Sequence, residues 1–496
     1  MKSPILTFPL KKGEGINPML KRLLTQYHPR YPRSLIYMLQ ASEYHTDDFL
    51  RWFVRVEDFR RVEKRKRLVK TPKALFLFAL AWATLLMFYV NALAALWLGS
   101  SPRKYVAAIL MLWAAPHLLP RMMVVLTGLG YLIIQKPLER RATARTRKIL
   151  QRHPGTKIAI AGSFGKTTMR EILRVVLSEG KKVGCPPHNH NTPIAIARFV
   201  ETLAGDEEVL IFEIGEYYPG DVQKMCQVVG PHIGVITGIN EAHFERFRSL
   251  ESTTRTIFEI ADFLDAKSLY INGESAQARK SSRLHNIVYS REGAEYWMVA
   301  HALTNLTGTT VELRNSKGEN IRFLSGLLGL HQVGPLVAAA DIASLLGMRA
   351  EQIKRGLSHT RPFEHRLNPV STAGDVVTID DSYNGNPDGV RVIIEFLASL
   401  KGRRRFYITP GLKEVGELTK PVHKTIGKLL ADAGIEKVVL IKNSVTPFIA
   451  EGLKETGFRG DLIWFDDALA AFAALPHLTA KGDVVVLQND WPDQYN

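Results

Sequence analysis

The sequence predicts an α/β protein: two doubly wound domains with largely parallel sheets, preceded by a hairpin of two long apolar helices. Three observations carry this. From about residue 156 short apolar runs alternate with helical patterns, which is how strands and crossover helices of a parallel sheet read. A second block of the same alternation begins near Arg366, and residues 74–135 hold two long apolar segments flanked by basic ones. At 496 residues the chain suffices for two to four domains, each with its own core. The expected boundaries are a basic cytoplasmic segment over 1–73, the hairpin over 74–135, a basic linker over 136–155, a central domain over 156–365 and a C-terminal domain over 366–496.

Residues 1–73 mix Pro-rich turns with amphipathic stretches such as DDFLRWFVRVEDFRRVEKRKR, to which no chemistry is assigned. Residues 74–99 then run 26 positions without a charge, enough for a helix to cross a hydrocarbon core of about 30 Å. A second apolar segment, 105–135, is interrupted by Pro116, Pro120 and Arg121. Proline kinks a helix and a mid-depth arginine is costly, so this segment reads either as a second crossing or as a re-entrant or interfacial one. Basic residues flank both sides, from Arg60 to Lys73 and from Lys136 to Lys148. By the positive-inside rule both flanks face the cytoplasm, which gives a transmembrane hairpin with the following domains on the cytoplasmic side of the membrane.

This arrangement also explains the charge. Residues 1–153 hold 27 Lys+Arg against 8 Asp+Glu, whereas the remainder holds 38 against 40. The formal +17 is therefore a local feature of the N-terminal third. Anionic membrane lipids account for it, and no nucleic acid is expected as a partner. The two cysteines, Cys185 and Cys226, exclude a disulfide framework and a four-cysteine metal site, in keeping with a reducing compartment. No early apolar segment marks a cleavable signal peptide.

In the central block, residues 157–161 read as a strand, 167–178 as a helix, and 209–214 and 233–237 as further strands. A β-hairpin is expected over 309–313 and 320–323. The C-terminal block reads as strands over 376–379, 406–408, 437–441, 461–464 and 483–487 with helices between.

The first strand runs into Gly162-Ser163-Phe164-Gly165-Lys166-Thr167-Thr168 and then into a helix. Glycines let backbone amides approach an anion, the helix N-terminus adds its dipole, and Lys166 adds a positive charge. Thr167 is placed to bind Mg²⁺ through its hydroxyl. The loop is shorter than the common GxxxxGK[ST] form, since Ile160 stands at the first glycine position. A nucleotide phosphate is the ligand this pattern suits; a glycine-rich turn with an exposed lysine is the bland alternative.

Further matches follow in order: Glu213-Ile214-Gly215 with Pro219-Gly220-Asp221, then TGINEAH over 237–243, Ser249-Leu250-Glu251, Asn272-Gly273-Glu274, Gly329-Leu330-His331, Arg366, and DDSYNGNPD over 380–388. On these the chain resembles the Mur ligase superfamily across nearly all of residues 156–490. The DDSYNGNP stretch is similar to that of the branch adding D-alanyl-D-alanine to a UDP-N-acetylmuramoyl-tripeptide. The resemblance implies a P-loop-type central ATPase domain, a Rossmann-like C-terminal domain, and ATP and Mg²⁺ as cofactors. It implies amide-bond formation through an acyl phosphate, the substrates being a muramoyl-peptide-like carboxylate and an amino acid or dipeptide.

Residue by residue, it gives Lys166 to the β/γ-phosphates and Thr167 with Glu213 to one Mg²⁺. His243 goes to a second Mg²⁺ that bridges to the acceptor. The loop residues Gly162 to Thr168, Asn272, Arg366 and Asp381 go to the nucleotide, and Asn189, Asn191, Asn384 and Asn386 to substrate. The family's carbamylated lysine falls on Ile257, which cannot coordinate a hard cation. The second metal site is therefore weaker, completed by another group such as Glu259, or absent. Gln332 and Pro335, and Gln488-Asn489-Asp490, also depart from the family pattern. The soluble domain that holds the uridine nucleotide in such ligases is replaced by the hairpin and its basic segment. Two alternatives to the D-alanyl-D-alanine reading follow: a paralogous ligase on a different acceptor, lipid-linked or not, and a membrane-attached nucleotide-binding scaffold without ligase activity.

Overall fold

The computed structural model describes residues 18–42, 44–63, 67–97, 101–187, 190–240, 247, 249–363, 365–371, 375–382, 385–412 and 415–489. The chain divides into two compact units that meet between residues 138 and 139. That boundary falls inside the stretch expected as a linker, which is helical.

The N-terminal unit holds α1 (Pro18–Thr25), α2 (Tyr31–Ala41), α3 (Thr46–Arg55), α4 (Pro72–Trp97) and α5 (Pro102–Gly130). Helices α4 and α5 pack on each other, and Ala81 and Ala92 of α4 and Ala108 and Ala115 of α5 are fully buried. Small residues at such a seam let two helix backbones approach closely. Helix α2 packs against α4 and buries Leu35, Ile36 and Leu39 in a cluster with Leu77, Leu85, Leu119 and Met123. Much of the remaining hairpin surface is apolar and exposed, including Leu86, Val90, Leu93, Ile109 and Trp113, with Asn91 and Arg121 exposed among them. Both hairpin helices are long and apolar enough to cross a membrane.

Helix α5 runs continuously through Pro116 and Pro120. Pro120 has no N–H to donate to the Pro116 carbonyl one turn earlier. The Tyr31 hydroxyl donates to that carbonyl instead, at 2.9 Å, and so fills the vacated acceptor. A π-helical turn (Tyr131–Gln135) and α6 (Lys136–Arg152) follow.

The second unit contains two α/β domains. In the central one, β1 (Thr156–Ala161), β2 (Val183–Gly184), β3 (Val209–Glu213), β4 (Ile233–Ile236), β5 (Leu269–Asn272) and β6 (Ile287–Tyr289) form a parallel sheet in the order β2-β3-β1-β4-β5-β6. Helices α7 (Lys166–Leu177), α8 (Pro193–Val200), α9 (Asp221–Val229), α10 (Leu250–Phe258) and α11 (Ala276–Ser281) connect these strands. Alternation along β1 serves two cores. Ile158 and Ile160 face Met169 and Leu173 of α7, while Ala159 and Ala161 share a cluster with Leu150 of α6, Val222 of α9 and Ile257 of α10.

The expected hairpin is a three-stranded antiparallel sheet of β7 (Trp297–Asn305), β8 (Gly308–Asn315) and β9 (Asn320–Ser325). Strand β7 was hidden in the sequence because its run WMVAHALTN lacks clean alternation: apolar Met298 and Leu303 are exposed alongside His301 and Asn305. Helices α12 (Val333–Leu345) and α13 (Ala350–His359) complete this domain.

The C-terminal sheet has the order β10-β11-β15-β12-β13-β14, from β10 (Asn368–Ser371), β11 (Val377–Asp381), β12 (Arg405–Thr409), β13 (Lys437–Ile441), β14 (Asp461–Phe465) and β15 (Val484–Gln488). Only the edge strand β10 is antiparallel to its neighbour. Helices α14 (Pro387–Ser399), α15 (Thr419–Asp432), α16 (Thr446–Glu455) and α17 (Ala468–Leu478) lie between the parallel strands. Asn386 starts α14: its side chain accepts the Gly389 amide at 3.0 Å and Pro387 supplies a preset φ.

Candidate active site

The carboxyl ends of β3, β1, β4 and β5 converge, the position at which parallel α/β sheets bind ligands. Register fixes what meets there. Ile160 pairs with Glu213, and Ala161 with Ile236, so the loop after β1 lies between Glu213 and Thr237. Two glycines make the loop possible. Gly162 has φ +145° and Gly165 φ +79°, and a Cβ on Gly162 would lie 2.4 Å from the Thr237 hydroxyl. The Ser163 amide donates to Gly238 O at 2.7 Å and the Thr237 hydroxyl donates to Phe164 O, which ties the loop to β4. The Phe164 ring occupies the space a side chain at position 238 would need.

Lys166 and Thr167 open α7. The Lys166 ammonium donates to Gly162 O and to Glu216 Oε1, the latter at 2.7 Å. The Thr167 hydroxyl is 3.2 and 3.1 Å from the two oxygens of Glu213. Arg170, buried one turn further along α7, sets its guanidinium 3.5 Å from Glu213 and 2.7 Å from Glu171. A hydroxyl and a carboxylate that converge this closely are hard oxygen donors of the kind Mg²⁺ takes, so the residues fit that ion.

Beside this cluster a cavity lies between the two domains of the unit. Phe164, Gly165 and Thr168 line it from the loop, Asn272 from β5, and Arg366, Asp381 and Asn386 from the C-terminal domain. The Asn272 carboxamide donates to Thr237 O and so braces the ends of β4 and β5. Burial pushes the Asp381 carboxyl up to about 7 against the opposing pull of Arg366 and of the Leu367 amide. Burial lowers His331, also in the cavity wall, to about 4, so its ring is neutral there.

Most of the residues selected from the sequence are thus together. Asn191 is buried beside the β3–α9 connection, where its carboxamide oxygen lies 3.5 Å from the Tyr217 hydroxyl. Asn386 caps α14 and also accepts a hydrogen bond from Asn240. His243, Asn189 and Asn384 lie outside the described residues. Ile257 is fully buried in an apolar cluster. Glu259, the suggested substitute ligand, is committed elsewhere: its carboxylate accepts the Gly220 and Gln223 amides, each at 2.9 Å, and caps α9. Gln488 and Asn489 are likewise structural, with hydrogen bonds to Thr409, Gly385 and Gly411. Glu216 was missed by sequence reasoning; the available signal was a second carboxylate three residues after Glu213 in FEIGEYY.

Residues 160–343 match the Mur ligase middle domain, and residues 365–488 match the Mur ligase, glutamate ligase domain. The chain belongs to the Mur ligase family. Members of this family are ATP-dependent ligases that form peptide bonds, and they use ATP and Mg²⁺. A UDP-N-acetylmuramoyl-tripeptide–D-alanyl-D-alanine ligase of Mycobacterium leprae is 25% identical over 364 residues, covering 67% of this chain and 70% of the relative. The solved structure of MurF from Acinetobacter baumannii has a TM-score of 0.62 at 22% identity, covering 72% of this chain and 78% of that one. MurF from Thermotoga maritima in complex with ADP has a TM-score of 0.61 at 22% identity, covering 71% and 80%. These structures share the Mur ligase fold.

Proposed function

We propose that this Mur ligase adds D-alanyl-D-alanine to a UDP-muramoyl-tripeptide, as its curated relatives are named for doing. The observation that carries this is the meeting of Lys166, Thr167 and Glu213 at the ends of β1 and β3, inside the ordered family match. Joining a carboxylate to an amine in water is uphill. Transfer of the γ-phosphoryl of ATP to the carboxylate releases ADP and gives an acyl phosphate, whose attack by the amine releases phosphate. Such chemistry is chiefly positioning and charge neutralisation.

In this reading the loop amides and Lys166 hold the phosphates. Thr167 and Glu213 hold Mg²⁺, which when bound neutralises phosphate charge. Asn272, Arg366 and Asp381 contact the nucleotide across the cavity, and His243, with the asparagines at 189, 191, 384 and 386, serves the metal and substrate side. Membrane attachment belongs to the same reading. The length and apolar outer surface of α4 and α5 support it, as do the basic flanks; in this reading the flanks and the catalytic unit lie on the cytoplasmic side beside anionic lipids.

The test is ADP release and product mass from the full chain with ATP, Mg²⁺, UDP-muramoyl-tripeptide and D-alanyl-D-alanine. Lys166→Ala should abolish both. A second reading, ligation to a lipid-linked acceptor, is favoured by one observation: the family match begins at residue 160, after a separate helical unit. No product with the named pair but product with a lipid-linked acceptor would select it. ATP binding without phosphate release for any acceptor would instead leave only a scaffold.

A further inference from the structure

Two side-chain clusters tie the C-terminal domain to the central domain through α14. At its N-terminus, Asn240 Nδ2 donates to Asn386 Oδ1 at 3.0 Å and to Asp388 Oδ2 at 2.9 Å. Further along, Glu395 receives a fork from Arg291: one guanidinium nitrogen donates to Oε1 at 2.6 Å and the other to Oε2 at 3.2 Å. Glu395 lies seven positions after Asp388 along the helix, a rise of about 10 Å. Gly389, Val392 and Ile393 between them line the cavity. Helix α14 is therefore a cavity wall pinned at two points.

Arg291 is oriented before it reaches across. Its backbone amide and its Nε donate to the two oxygens of Glu274, at 2.8 and 3.1 Å, and Glu274 also lines the cavity. This leaves the two terminal nitrogens aimed at Glu395. Arg291 and Glu395 keep 32% and 45% of their side-chain surface, so a single point contact between them would carry little. The bidentate geometry, with the arginine already held, is what gives such a pair orientation and energy.

The chain enters the C-terminal domain through His365 at φ +62° and Leu367 at φ +43°. Side-chain-bearing residues seldom adopt that region, so the connection carries local backbone strain that the surrounding contacts offset.

We propose that Arg291 is a positioning residue, a latch that holds α14 and with it the C-terminal domain over the cavity. Its consequence for catalysis rests on the nucleotide reading of that cavity; the latch itself does not. The test uses the full chain with Cys185 and Cys226 replaced by Ala and spin labels at Lys280→Cys and Lys454→Cys, one on each domain. Pulsed dipolar spectroscopy should give a narrow distance distribution for this parent. Arg291→Met and Glu395→Gln should each add a longer-distance population, with the double variant no worse than the worse single one. Arg291→Lys, which keeps the charge but loses the fork, should fall between. Release of a fluorescent ADP analogue should quicken about two- to fivefold in each single variant, and kcat should fall while the acceptor KM holds. Unchanged distances in both single variants, or effects that simply add, would overturn the latch. If the parent binds no ADP, the nucleotide reading fails while the distances still decide the latch.

Discussion

The Lys166 ammonium lies 2.7 Å from Glu216 Oε1, and both side chains are nearly buried. The phosphate loop therefore carries its own anion. A nucleotide must bring its phosphates to an ammonium already shared by Glu216 and Gly162 O, within a few ångströms of a buried carboxylate. Like charges at such separations cost roughly 1–3 kcal/mol at a partly buried site. Glu216→Gln keeps the shape and a hydrogen-bonding group but removes the charge. It should tighten binding of ADP in the absence of Mg²⁺ by about tenfold, measured by titration with a fluorescent analogue in chelator. Weaker binding would mean that Glu216 instead orients Lys166 for the phosphates.

Much of this site was legible because its parts are local. GSFGKTT is one contiguous turn, and its glycines are demanded by backbone conformation at Gly162 and Gly165 rather than by side-chain chemistry. Glu213 was legible through the motif Glu213-Ile214-Gly215, which matches the family at the end of a strand. Glu216 was not, since nothing along the chain tells which of two nearby carboxylates turns toward a lysine 50 residues away. The same holds for Glu259, whose cap on α9 depends on a contact across 39 residues. The partner of the Pro116 carbonyl was not legible for a related reason: the Tyr31 hydroxyl that serves it comes from 85 residues upstream.

Thr167 and Glu213 act as one unit if they share a divalent ion. Thr167→Val and Glu213→Gln should each raise the Mg²⁺ concentration for half-maximal activity by about tenfold, and the double variant should show far less than the product of the two. The check is a Mg²⁺ titration of ADP release at fixed ATP. Full additivity would place the two residues in separate roles.

Asp381 predicts a pH dependence of stability. Burial raises its carboxyl from the usual 3.8 to about 7 in the fold, whereas the unfolded chain regains the usual value. Between those two pH values the unfolded chain has released a proton that the fold retains. Stability therefore falls as pH rises through that window. Below it both states are protonated and the residue contributes no slope. Asp381→Asn should flatten the fall in Tm across this range, measured by thermal unfolding of the full chain at stepped pH. An unchanged slope would mean that another group sets it.

Tyr31 offers a test of how α5 survives its prolines. The hydroxyl serves the Pro116 carbonyl, while the ring packs edge-on against Phe59 at 4.8 Å. Tyr31→Phe removes the first and keeps the second, so packing is not the variable. A buried carbonyl left without a donor costs about 1–3 kcal/mol, and an apolar surrounding offers no water to replace it. Hydrogen–deuterium exchange on the full chain should show faster exchange in the middle of α5 and at the start of α2, with the catalytic unit unchanged. Protection equal to the parent in α5 would mean that the helix holds its course through its packing on α4 alone, and that the Tyr31 hydroxyl is incidental to it.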